Sequence, residues 1–332
     1  MNKSLVLVVI FFGILASVFS CKQDSQESKT TEKNQEAYLK IAYNVLVDEE
    51  NDDYEFFVMD FNGDNKKNIC NSPGVDWVYH SYDDKLFFLS DRDGSYREYY
   101  LYQTDVNGSD VQRITDFRLK DSWMDSRNDG SELIVTPHPD VDSSFYIINL
   151  KGEVLSKIYT GLPYFNDPCF SPDGNKIVFR GSNKPFKKDI GFIDELYIMN
   201  SDGSGLRQLT QYPENDNSAK WHNYHAGPPC WNETTDVISY ISKRNGSYSI
   251  FTTDASGQNT QQITPDGFNQ GWHDWSTDGK FVVFNGSSTK DNPNYDIFLL
   301  DIGKRQINRL SFDSIYEQAP VFVNYYQNTT YE

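Results

Sequence analysis

Aromatic rings, carboxamides, carboxylates and imidazoles recur together along this chain in short groups. They stand as Asp76-Trp77, Asp121-Ser122-Trp123, Asn166-Asp167, Trp221-His222-Asn223-Tyr224-His225, Gln270-Gly271-Trp272-His273 and Glu317-Gln318. Flat rings stack on the apolar faces of sugars, and side-chain amides bond hydroxyls, so this set suits glycan recognition. The residues expected to touch a ligand are Trp77, Trp123, Asn166, Asp167, Trp221, His222, His225, Gln270, Trp272, His273 and Gln318. Three of the chain's five histidines fall in this set. His222 and His225 are three apart, but no helix is evident to put them on one face. His225, His273 and Gln270 could nonetheless converge on one point.

Repetition explains how such scattered groups would be gathered. One unit reads Asp167-Pro168-Cys169-Phe170-Ser171-Pro172-Asp173-Gly174, then Lys176 to Phe179, then Glu195 to Asn200, and ends at Arg207-Gln208-Leu209-Thr210. A second runs from Trp272-His273-Asp274-Trp275-Ser276-Thr277-Asp278-Gly279 to Asn308-Arg309-Leu310-Ser311, and weaker copies fill the remainder. Glycines of a second turn recur at Gly63, Gly108, Gly152, Gly203, Gly257 and Gly303. Their spacing of roughly 45–55 residues is that of a supersecondary array. Asp-Gly between apolar runs signals a hairpin, and runs such as Phe281-Val282-Val283-Phe284 signal strands buried on both faces. Four antiparallel strands per unit is the arithmetic of a β-propeller blade. The first copy lacks its inner strand, and Gln318 to Val323 aligns with Asn166 to Ser171. The expected fold is therefore all-β: a six-bladed β-propeller of four-stranded antiparallel blades, closed by the C-terminal strand joining the N-terminal blade. Loops entering the inner strands would meet at one axial mouth, which collects the groups above.

The repeats resemble the TolB-like, WD40-like (PD40) propellers of exported bacterial proteins. The matching residues are Ser171 to Phe179, Tyr197 to Ser204 and Arg207 to Thr210. That resemblance covers nearly all of residues 38–323 and implies a binding scaffold in a protein complex at the cell envelope. Its ligand would be an envelope protein or an oligosaccharide, with no cofactor. Oligogalacturonate lyases are propellers with similar repeats, and Gln270-x-x-His273 resembles part of their metal motif. This second resemblance implies a carbohydrate lyase with a divalent metal such as Mn or Ca on His225, Gln270 and His273. His222 would then be the base, and Arg180 would stabilise charge. Trp275 stands where that motif has its next histidine, leaving the ligand set incomplete. The leading expectation commits no catalytic residue and no metal.

The amino terminus reads as an address. Lys3 precedes an apolar run from Leu5 to Val18, too short for a spanning helix, and Cys21 follows Val18-Phe19-Ser20. The pattern resembles a bacterial lipoprotein signal and implies acylation of Cys21. The expected organisation is a signal peptide over 1–20, a lipidated tether over 21–37, a propeller over 38–326 and a tail over 327–332. The expected location is the periplasm or outer membrane, with membrane contact through the lipid anchor only. A net charge of −18 repels phosphate backbones and excludes nucleic acid as a natural partner. Beyond Cys21 the cysteines are Cys70, Cys169 and Cys230, an odd set with no C-x-x-C pair. His80 aligns with the core aromatics Phe170, Trp231, Trp275 and Phe322, whereas His138 lies in a loop away from the mouth. The insertion Lys184 to Asp189 reads as a solvated loop, although insertions in repeats often map to binding faces.

Overall fold

The computed structural model describes residues 37–189, 191–213, 220, 222–287, 294–313 and 315–326. The described residues form six four-stranded sheets, each antiparallel throughout. The repeats predict this architecture, and the blades follow it. Cys21 and Trp221 lie outside the described residues.

The inner strands of the second to sixth blades are Asp76–Tyr82, Asp125–Arg127, Tyr164–Phe170, Cys230–Asn232 and Asn269–Trp275. The first blade takes its inner strand, Glu317–Tyr326, from the other end of the chain. It pairs antiparallel with Ala37–Asp48, setting Ile41 opposite Phe322 and Ala37 opposite Tyr326. The second strands are the apolar runs. Lys85–Ser90 and Phe281–Ser287 bury nearly every side chain because each blade packs on a neighbour at both faces.

A ring of side-chain contacts joins the six inner strands. The Ser81 hydroxyl donates to Phe322 O, His80 Nε2 meets Ser126 Oγ (2.9 Å), and Phe170 N donates to Asp125 Oδ2 (2.7 Å). Trp231 N donates to Cys169 Sγ (3.3 Å), the Cys230 thiol to Asp274 Oδ1 (3.6 Å), and Phe322 N to Asp274 Oδ2 (2.8 Å). Each contact spans adjacent blades, and the last closes the circle onto the first. Cys169 and Cys230 are free thiols that serve this ring. His80 also stacks on Phe87, as its core-aromatic position predicts.

Two further repeat features acquire a cause. In four blades the Ile-Thr, Leu-Thr or Leu-Ser that follows the fourth strand places a hydroxyl beside the third strand. Leu101 N, Leu196 N, Ile250 N and Ile297 N donate to Thr115, Thr210, Thr264 and Ser311 at 3.0, 2.9, 2.9 and 2.8 Å. Four of the six second-turn glycines, Gly63, Gly108, Gly152 and Gly257, press on the preceding blade. A Cβ on Gly63 would lie 2.6 Å from the Leu310 carbonyl oxygen, and one on Gly108 would lie 2.5 Å from that of Ile69. Gly152, with φ 78°, sits so close that a Cβ would overlap the Ile114 carbonyl oxygen. Gly152→Ala should therefore lose about 1–3 kcal/mol of stability, from left-handed backbone strain and this overlap. A urea titration with an unchanged midpoint would show that the two blades part without cost.

Candidate functional site: the axial mouth

The inner strands begin at one opening of the ring. There a cavity of about 620 Å³ is walled by Tyr164, Phe186, Phe192, Tyr248, Trp272 and Tyr316, with Asp121, Arg180 and Asp194 among its polar groups. A second cavity, about 730 Å³, opens at the opposite end among the Asp-Gly turns. Trp272 borders both. Its ring lies 5.2 Å from that of Trp123, which stacks at 4.1 Å on Tyr79.

Irregular pairing shapes the floor of the mouth. The register between the first two strands of the fourth blade shifts between Asn166 and Cys169, and Asp167 adopts φ 54°. This bulge turns the Asp167 carboxylate inward, where it is fully buried. Its Oδ1 accepts from Trp123 N (3.0 Å) and from Asn166 Nδ2 (3.0 Å), and its Oδ2 from Arg180 Nε. Arg180 Nη1 also donates to Asp194 Oδ2 at 3.2 Å. Burial opposes the Arg180 charge, but Asp167, Tyr164 and Asp194 overcome it and raise its pKa. Asp194 is buried, its Oδ1 has no hydrogen-bond partner among the described residues, and burial lifts its pKa to about 6. Asp121 accepts from the Tyr79 hydroxyl at 3.0 Å, yet burial lifts it too to about 6. Lys120 Nζ donates to Phe165 O (3.2 Å) and lies 4.6 Å above the Tyr164 ring, with burial lowering its pKa.

The residues expected at the mouth divide into three groups. His222, His225, Gln270, Trp272 and Arg180 line its cavity. Burial brings the His225 pKa down to about 4, and the His222 pKa is lowered chiefly by burial and then by Lys243 and Lys188. Asn166 and Asp167 support the floor from beneath, Asn166 by donating to Asp121 O at 3.1 Å. The others lie elsewhere. Trp77 belongs to the core of the second and third blades, packed on Tyr54, Tyr79 and Tyr99. Gln318 is buried in the closing strand opposite Asn44. Trp123 and His273 line the opposite cavity.

The expected convergence of His225, Gln270 and His273 is not what the fold produces. A register shift between Gln270 and His273 sends them to different surroundings. His273 is buried against Ser239 Oγ, 2.6 Å away, and burial brings its pKa down to about 3. Gln270 Nε2 donates to Pro265 O (2.8 Å), and its Oε1 accepts from Ile250 N (3.3 Å) and the Thr264 hydroxyl. Glu317, three residues before Pro320 as Gln270 is before His273, likewise accepts from the Ser311 hydroxyl. Gln270 is thus a latch on its blade's fourth strand. Among the described residues no three His, Cys, Asp or Glu side chains are grouped to hold a metal ion.

Several mouth residues escape sequence reasoning. Phe186 belongs to the insertion read as a solvated loop, and it stacks on Tyr164 with ring centroids 5.7 Å apart. Phe192 meets Phe186, Tyr164 and His225 edge-on. Asp194 and Asn285 carry no motif; they line the cavity because they sit beside second- and third-strand ends at the mouth. The insertion itself was the available signal for Phe186 and Phe192.

No protein-family model matches the chain. Over 124 residues it is 27% identical to the Tol-Pal system protein TolB of Anaeromyxobacter dehalogenans, a match spanning 36% of this chain and 26% of that protein. The chain thus corresponds to about a quarter of that relative's length. TolB from Acinetobacter baumannii superimposes with a TM-score of 0.65 at 15% identity, covering 85% of this chain and 66% of that one. A putative TolB from Agrobacterium tumefaciens gives 0.58 at 15% identity, covering 83% and 89%. Identities this low speak to fold, and the blade count, the closing strand and these superpositions agree: the described residues form a TolB-like six-bladed β-propeller.

Proposed function

We propose that this chain is an exported, lipid-anchored TolB-like propeller that acts at the cell envelope as a noncatalytic scaffold, binding a protein or glycan in its axial mouth. The observation that carries the reading is the mouth itself. Aromatic walls surround buried polar groups, and two of these, Asp194 Oδ1 and Asn285 Oδ1, have no partner among the described residues. Such atoms are costly unless something arrives to satisfy them. The similarity to Tol-Pal system TolB proteins supports an envelope setting and a protein partner. The Cys21 signal supports the anchor, and Lys22 to Glu36 supports a tether. The lyase alternative loses support, because His273 is buried against Ser239, away from the cavity that His225 and Gln270 line, and Gln270 is engaged by its own blade.

A photoreactive residue placed at Tyr248, on the mouth wall, should crosslink to a discrete envelope component in cells. The same residue at exposed Tyr159, which lines neither cavity, should not. Equal or absent capture at both positions would remove the mouth as the interface. Cys21→Ala should release the chain from the membrane fraction; unchanged fractionation would remove the anchor.

A further inference from the structure

Resting on the mouth as the binding site, we infer that the group it receives is a cation, a protonated amine or guanidinium held between Asp194, Asn285 and the aromatic wall. Among the described residues, the two buried side-chain atoms on the cavity lining without a hydrogen-bond partner are both oxygens, Asp194 Oδ1 and Asn285 Oδ1. The two residues are only 4% and 1% exposed, so water does not readily serve them. A ligand that fits must donate hydrogen bonds. Asn285 is held in place from behind, since a Cβ on Gly271 would meet its amide at 2.6 Å.

Charge then separates a cationic donor from a neutral hydroxyl. The floor brings together Asp121, Asp167 and Asp194 with Arg180 and Lys120, and Arg97, which also acts on Asp121, is held by Asp52. Arg180 is committed to Asp167 and Asp194, and Lys120 to the Phe165 carbonyl. Asp167 and Asp194 therefore match Arg180 and Lys120 in the floor, and Asp121 adds a carboxylate that is exposed at the cavity surface. Lys188, a further cation among the described lining residues, is likewise exposed and screened by solvent. Burial lowers the pKa of His222 and of His225, which favours their neutral forms. An anion would stand against the free Asp194 oxygen and the Asp121 carboxylate, whereas a cation is attracted by both. The walls favour the same choice, because Tyr164, Phe186, Phe192, Tyr248 and Trp272 present π-systems that attract cations.

The cation could be a free amine or a basic side chain on a polypeptide, and calorimetric titration separates them. The probes are agmatine, the blocked tripeptide Gly-Lys-Gly, neutral maltotriose and anionic trigalacturonate, each against the full propeller. Agmatine and the tripeptide should bind, and the two sugars should not. Similar affinities for the two cations identify a free amine as sufficient; a tripeptide at least tenfold tighter identifies a polypeptide. Asp194→Asn, which keeps the shape, should weaken cation binding by about tenfold or more. Asn285→Asp should strengthen it, which a merely misfolded variant would not do. Binding of a sugar in preference to both cations, no binding of either cation, or cation binding indifferent to Asp194→Asn overturns the inference. If the cations fail while the Tyr248 crosslink still captures a partner, only the charge of the ligand is wrong and the scaffold reading stands.

Discussion

Removing residues 317–326 should leave a chain that does not fold. That strand supplies the inner edge of the first blade, buries Val321, Phe322 and Val323, and takes the last contact of the inner ring, Phe322 N to Asp274 Oδ2. Without it Ala37–Asp48 becomes an open edge, and apolar surface from two blades is exposed. A one-dimensional array would shed a terminal unit at modest cost; a closed ring cannot. Circular dichroism and size exclusion should show an unfolded or aggregated product. Phe322→Ala gives the graded version, because its ring packs with Tyr43, Val283 and Leu299 at the seam. It should lose about 3–5 kcal/mol. A truncated chain with a native spectrum and cooperative melting would mean that the seam is dispensable.

Arg180→Met should lose a comparable amount, about 3–5 kcal/mol. The guanidinium lies between Asp167, fully buried, and Asp194, 4% exposed. Methionine fills similar volume but leaves two carboxylates facing each other without their cation. The penalty comes from uncompensated charge, so a second change should relieve it. Arg180→Met combined with Asp167→Asn should recover a substantial part of the loss, even though it moves further from the native sequence. Chemical denaturation of the two variants measures the difference. If the double variant is weaker by the sum of its parts, the trio acts by packing and not by charge.

The fold was legible because its determinants are local and repeated. Asp173-Gly174 and Asp278-Gly279 mark turns, Ile177 to Phe179 marks a strand buried on both faces, and Gln318 to Val323 marks the missing piece of the first blade. The mouth was legible only by address. Alignment identified which segments reach it, but bulges decide which way their side chains turn. The shift within Asn269–Trp275 separates Gln270 from His273, and the one within Tyr164–Phe170 sends Asp167 beneath the floor. Trp77 shows the same limit: it occupies a mouth-entry segment, yet its ring turns into the core. Asp194 and Asn285 come from strands whose pattern is set by burial, so nothing in their spacing announces a binding role. The Gln270 hydrogen bonds, by contrast, follow from the recurring Thr or Ser at the end of the fourth strand, and the parallel with Glu317 makes that role readable in retrospect.

The closing strand also runs from one opening of the ring to the other. Glu317 lies at its mouth end and Tyr326 at its far end, opposite Ala37. Leu39 and Asn324 border the cavity of the Asp-Gly turns, and Tyr316 borders the mouth. The chain therefore enters the ring from the side remote from the aromatic mouth. A ligand in the mouth and a contact at the Ala37 end would therefore use opposite openings of the same ring.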